Sequence, residues 1–106
     1  MTARTPEEGQ YCVLSTGHVF PQDLLALANL ANLKEAPVMV ASTAYGAVIS
    51  LMPSEEADVE SIKAAFIYHG LSPVFIDLWE GMRTRGYGLM QLDADAADIA
   101  GYRVVQ

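Results

Sequence analysis

Val38-Met-Val-Ala-Ser-Thr-Ala-Tyr-Gly-Ala-Val-Ile-Ser-Leu-Met52 is the stretch that decides the fold. It holds two apolar runs, Val38 to Ser42 and Ala47 to Met52, on either side of Thr43-Ala44-Tyr45-Gly46. The runs are rich in strand-forming residues, and Gly46 suits a tight turn. Two such runs across so short a loop predict an antiparallel hairpin.

Upstream, Pro21 suits the first turn of a helix, where its missing N–H costs nothing. Gln22 to Glu35 is expected to be that helix, and Pro37 to end it. Leu24, Leu27, Ala28 and Ala31 share one face, which Leu25, Leu30 and Leu33 widen. A face that broad predicts burial on more than one side, or a dimer contact. Before it, Tyr11 to Ser15 reads as a strand and Thr16 to Phe20 as a connection.

Downstream, Glu55, Glu56, Asp58 and Glu60 crowd the start of a second helix, where the macrodipole favours negative charge. Val59, Ile62 and Phe66 give its buried face, His69 lies at its end, and Gly70 is placed to stop it. Ser72 is a good N-cap for a third helix, with Pro73 in its first position. Leu71 and Ile76 have the spacing of a hydrophobic staple. This helix is expected to bury Phe75, Leu78, Trp79 and Met82 and to end near Arg85, before Gly86. Gly81 inside it costs roughly 1 kcal/mol against alanine, which suggests close packing against another element. Tyr87 to Leu92 is a fourth strand. The remainder, Asp93 to Gln106, is less regular, with Arg103 to Val105 as a candidate edge strand.

The order is therefore β-α-β-β-α-α-β. It predicts an α+β fold: a single domain over residues 11–106, with a four-stranded mixed sheet covered by three helices. Residues 1–10 are expected to be a flexible leader. Strands one and two should run parallel if they share the sheet, through a right-handed crossover.

At 106 residues with 52% hydrophobic and 18% charged side chains, the chain is expected to fold on its own core. One cysteine, Cys12, excludes an internal disulfide and fits a reducing cytoplasm. No apolar run approaches the roughly 20 residues that span a bilayer. Six basic residues against thirteen acidic give a net charge of -7. Such a chain is repelled by nucleic acid and anionic membranes, so direct binding to either is not expected. The charge suits solubility or a basic protein partner.

Tyr87 to Asp98 delivers Asp93, Asp95 and Asp98 just past an apolar strand. Carboxylates so placed can hold a divalent cation, or serve as an acidic docking patch. The Asp93-Ala94-Asp95 pair resembles the aspartate motif of haloacid-dehalogenase phosphatases, but Ala96 and Ala97 stand where a hydroxyl is needed. The EF-hand spacing fails too: Asp98 holds the glycine position. The plainer role is local, with aspartates accepting backbone N–H groups where a chain leaves a strand. Ser15, Thr16 and His18 bring hydroxyls beside an imidazole, the raw material of nucleophilic catalysis. Hydrogen bonding within the loop is the plainer role for His18. Cys12 reads as a small buried hydrophobe.

Ser15-Thr16-Gly17-His18, Tyr45-Gly46, Gly70-Leu71-Ser72 and Leu92-Asp93-Ala94-Asp95 occur in that order. In this the chain resembles a family of small uncharacterised proteins from bacterial plasmids and phage-like elements, classed as a domain of unknown function. It departs from that pattern at Gly17, where alanine is expected, and at Ala96, where glycine is expected. An aromatic ending is also missing after Asp98. The resemblance implies no activity. It implies a mobile-element context, in which small acidic proteins often inhibit host defence.

The sequence reading is a non-catalytic, protein-binding inhibitor of the anti-CRISPR or wider anti-defence kind. It would dock an acidic surface on a larger basic host protein or complex, without cofactor or metal. Glu55, Glu56, Asp58, Glu60, Asp93, Asp95 and Asp98 are the residues expected to make that surface. Two alternatives stand beside it: a small metal-dependent hydrolase using Asp93 and Asp95, and a homodimeric accessory subunit joined through the Gln22–Glu35 helix.

Overall fold

A computed structural model describes residues 10–34, 36–52 and 58–106. Its elements follow the order read from the sequence. They are β1 (Tyr11–Ser15), a 3-10 turn (Thr16–His18), α1 (Pro21–Ala31), β2 (Val40–Thr43), β3 (Gly46–Ser50), α2 (Val59–Tyr68), α3 (Pro73–Thr84) and β4 (Leu89–Asp93). The architecture is the expected α+β fold with a four-stranded mixed sheet and three helices. The expected leader lies, apart from Gln10, outside the described residues.

The sheet runs in the order β1-β4-β3-β2. β4 pairs parallel with β1 and antiparallel with β3, and β3 pairs antiparallel with β2 in the expected hairpin. β1 and β2 therefore do point the same way, but they stand at opposite edges. The last strand is inserted between the first and the hairpin.

Side chains alternate across this sheet. Leu14, Val40, Ala47, Ile49, Met90 and Leu92 turn to one face and are buried. The helices cover that face and add Leu27, Leu30, Ile62, Phe66, Phe75, Leu78, Trp79 and Met82 to the same core. Phe66 meets Phe75 and Trp79 edge to face, with ring centroids 5.4 and 5.3 Å apart. Trp79 is fully enclosed, and its Nε1–H donates to the Ser50 carbonyl at 3.0 Å. Truncating it to alanine would cost roughly 3–5 kcal/mol.

Tyr11, Val13, Val48 and Leu89 turn to the opposite face, in register with Gln91 and Ala41. Among the described residues no helix lies on that side, and Tyr11, Val13, Leu89 and the neighbouring Met39 are exposed there. At Gly46 the hairpin passes so close to β4 that a Cβ would overlap the Leu92 carbonyl oxygen. Glycine stands there for space.

Two expectations are corrected. The buried stripe of α1 is Asp23, Ala26, Leu27 and Leu30, one position away from the apolar stripe read from the sequence. Leu25 and Leu33 are exposed. An apolar count misses a stripe that begins with a carboxylate. The second correction concerns Arg103 to Val105, which form no strand. Val105 and Gln106 instead donate their N–H groups to the Gly17 carbonyl, folding the chain end over the 3-10 turn.

Candidate functional site

Ser15, Thr16, Gly17 and His18 lie where β1 leaves the sheet. The Ser15 hydroxyl accepts the Gly17 N–H at 3.0 Å, a side-chain cap that starts the 3-10 turn. The turn sends His18 inward until it is buried. Its Nδ1 lies 2.8 Å from the Arg103 carbonyl oxygen, and its Nε2 accepts the Ile99 N–H at 3.0 Å. A carbonyl can only accept and an amide N–H only donate, so these partners fix the Nδ1–H tautomer. Both ring nitrogens are thereby committed to the C-terminal segment. Neither is left to take a proton from a nucleophile or to bind a metal.

The same segment is fastened elsewhere. The Gln106 amide donates to the carbonyls of Thr16 and Val19 at 2.7 and 2.6 Å. The Tyr102 hydroxyl lies against Gly81 of α3, where a methyl group would overlap it. This is the close neighbour that the helical glycine implied. The Ser-Thr-Gly-His motif is thus a receptor for the chain's own C-terminal segment.

Asp23 was not singled out by the sequence reading, yet it is the most completely buried carboxylate among the described residues. Its Oδ2 accepts the Phe20 N–H at 3.0 Å and the Ser72 hydroxyl at 2.8 Å, and its Oδ1 accepts the Ser72 N–H at 2.7 Å. Ser72 in turn caps α3 by accepting the Phe75 N–H at 3.2 Å. One carboxylate so joins the N-termini of α1 and α3, where both dipoles favour negative charge. Its signal was present: an acid in the third helical position, just after Pro21, is half of a capping box.

The predicted acidic residues separate into two groups. Asp93 ends β4 and turns the chain: its Oδ1 accepts the Asp95 N–H at 2.8 Å, and its carbonyl accepts the Ala96 N–H at 3.1 Å. This is the local turn chemistry weighed above. Asp95 and Asp98 are exposed beyond it, and the Asp98 carboxylate lies beside Gly17. Asp58 caps α2 by accepting the Glu60 N–H at 3.1 Å. Glu60 is exposed and pairs at 3.5 Å with Lys63, which also pairs with Glu80. The hydrogen bond from Lys63 to Glu80 raises the ammonium above its ordinary range.

The connectivity places these groups at opposite ends of the sheet. Asp93 pairs with Gly46 at the turn end of the hairpin, whereas Leu89 pairs with Ser50 at the other. Lys63 of α2 pairs with Glu80 near the end of α3, which leads into β4 at Leu89, so Asp58 and Glu60 belong to the Leu89 end. The structure brings Asp93, Asp95 and Asp98 together and leaves Asp58 and Glu60 apart. Glu55 and Glu56 lie outside the described residues.

Among the described residues, no three His, Cys, Asp or Glu side chains gather to hold a metal ion. Cys12 is half-buried on the core side of β1, and its Sγ lies 3.6 Å from the Leu89 carbonyl oxygen. Burial pushes its thiol above the ordinary value, and the Arg85 charge partly offsets this. An open hollow of about 540 Å³ between α1 and β2 is lined by Leu30, Pro37, Met39 and Met52, with Lys34 as its single ionisable side chain among the described residues. Among the described residues, no helix is long and apolar enough to cross a membrane.

The profile of a family of unknown function (DUF5983), C-terminal domain, matches residues 11–106. The chain belongs to this family. Its matched region starts with β1 and takes in every described element, including the segment held by His18. No curated protein and no solved structure matches the chain.

Proposed function

We propose that this DUF5983 domain is a non-catalytic, protein-binding inhibitor carried by a mobile genetic element and active in the cytoplasm of a bacterial host. Its partner is a larger, basic, nucleic-acid-handling protein or complex, of the kind used in CRISPR-type defence. Docking is electrostatic at the outset and steric in effect.

The observation that carries this reading is the commitment of His18. The imidazole is committed to Ile99 and Arg103 and does not serve the neighbouring hydroxyls or the carboxylates. The charge of the whole chain, by contrast, is strongly of one sign. The chain has a net charge of -7, and Asp95 and Asp98 stand clear of the sheet end beside Asp93. Acidic surface of this kind accelerates encounter with a basic groove and competes there with nucleic acid.

The test uses phage challenge of bacteria that carry an active CRISPR-type interference system. Expressing the chain should raise phage plating, and Asp95→Lys with Asp98→Lys should remove the effect. Purified complexes of chain and defence protein should weaken as salt rises. The reading falls if plating is unchanged by the wild-type chain across representative systems, or if charge reversal leaves inhibition intact.

A further inference from the structure

Residues 94–106 form no helix or strand. Their polar anchors converge on one short stretch of the fold. The Ile99 N–H and the Arg103 carbonyl meet the two nitrogens of His18. The N–H groups of Val105 and Gln106 meet the Gly17 carbonyl, and the Gln106 amide meets the carbonyls of Thr16 and Val19. All these partners stand on the 3-10 turn or on the residue after it. A segment without a ladder or helix of its own opens at lower free energy than the sheet behind it.

Of these anchors, only the one at Nε2 is broken by a proton. The neutral ring donates from Nδ1 and accepts at Nε2, whereas an imidazolium donates from both nitrogens. A proton on Nε2 sets donor against donor at the Ile99 N–H, 3.0 Å away, and His18 is buried where it stands. The released segment has no such conflict. It takes up a proton that the closed segment refuses, so acid favours release.

The groups around the ring do not remove the conflict. On the segment itself, Tyr102 meets His18 edge to face with ring centroids 6.4 Å apart, Asp98 lies beside Gly17, and the Arg103 side chain is exposed. On β4, Asp93 accepts the Asp95 N–H. On α1, Asp23 is spent on Phe20 and Ser72. On α3, Asp77 is exposed one turn before Gly81, and Glu80 pairs with Lys63. Among the described residues none of these side chains hydrogen-bonds to either nitrogen of His18.

We infer that His18 is a proton-operated latch: neutral, it closes residues 94–106 over the 3-10 turn, and protonated, it releases them while the sheet stays folded. Release uncovers the carbonyls of Thr16, Gly17 and Val19 and frees Asp98 from its place beside Gly17. The latch does not depend on the inhibitor reading.

Hydrogen exchange of the whole chain from about pH 7.5 to about pH 5 tests it, each rate being compared with the unstructured rate at the same pH. An ordinary imidazole takes up its proton in this range, and ordinary carboxylates do so below it. Protection of the Ile99, Val105 and Gln106 amides should fall at least about tenfold, while the amides of β3 and β4 keep theirs. Protonation of the His18 ring, followed by NMR, should coincide with that fall. His18→Gln keeps an acceptor that takes no proton in this range and should abolish the fall. His69→Gln, at the end of α2, should preserve it. Constant protection in the wild-type chain overturns the inference, as does a His18 ring that is protonated while the segment stays closed. An equal loss in β4 assigns the change to global unfolding, and the same fall in folded His18→Gln assigns it to a carboxylate; either overturns it. If His18→Gln does not fold, wild-type exchange and the ring titration decide between these outcomes.

Discussion

Asp23 and Ser72 meet although 49 positions separate them, the carboxylate accepting both the N–H and the hydroxyl of the serine at 2.7 and 2.8 Å. With the Phe20 N–H as a third donor, this contact fixes where α1 and α3 begin. Hydrogen bonds to a charged group are worth about 1.5–3 kcal/mol each, and the orphaned buried donors add to the cost of losing them. Asp23→Ala should therefore destabilise the fold by roughly 3 kcal/mol or more. Asp23→Asn should also destabilise, because its amide presents donors to donors. Urea unfolding checks both; a midpoint unchanged in Asp23→Ala would contradict the assignment.

His18→Ala removes the partner of the Ile99 N–H and of the Arg103 carbonyl together. The expected loss is about 2–3 kcal/mol. Its signature is regional. Hydrogen exchange should accelerate at Ile99, Val105 and Gln106, while the amides of β3 and β4 keep most of their protection. Uniform acceleration through the sheet would show that the C-terminal segment and the sheet open as one unit.

Gly81→Ala has an unusual expected sign. In an ordinary helix interior this change stabilises by about 1 kcal/mol. Here the new methyl overlaps the Tyr102 hydroxyl, so stability should fall. In a Tyr102→Ala background the same substitution should stabilise. Thermal melts of the four proteins give the coupling, and additive effects would contradict the contact.

Cys12 should react slowly with iodoacetamide near neutral pH while the chain is folded, and much faster in denaturant, because the thiolate is the nucleophile and burial raises its thiol. The linked stability follows from the same shift. The folded chain holds this proton to higher pH than the unfolded chain does. The contribution is therefore intact below the unfolded thiol's ordinary value of 9.0 and is lost as pH rises through the folded value. Cys12→Ser should flatten the alkaline arm of the stability profile. Equal alkylation rates for folded chain and free cysteine would contradict the burial effect.

Local chemistry made much of the fold legible. Val38 to Met52 announced the hairpin, and Ser72-Pro73 announced the start of α3. Leu71 and Ile76, spaced as a staple, are both buried. Gly81 betrayed a close neighbour. What stayed hidden depended on contacts distant in sequence. Nothing in Leu89 to Asp93 states that this strand slides between β1 and β3, because an apolar strand fits either neighbour. His18 reads as a hydrogen-bonding loop residue, but its partners could not be named, since the backbone groups that occupy it lie 81 and 85 positions away. Asp23 escaped because a carboxylate argues for the surface until its three donors are seen.

The insertion of β4 also governs how the molecule is born. Cys12 and Leu89, neighbours in the finished sheet, are 77 positions apart. A ribosome therefore extrudes Tyr11–Ser15 long before its mate exists, and the hairpin must wait with an empty slot beside it. Closing so large a loop is slow, and a strand left waiting is exposed to wrong pairings. A message cut short before Leu89 would yield a loose strand and a hairpin that share no ladder, and quality-control proteases would meet that fragment as an unfolded chain.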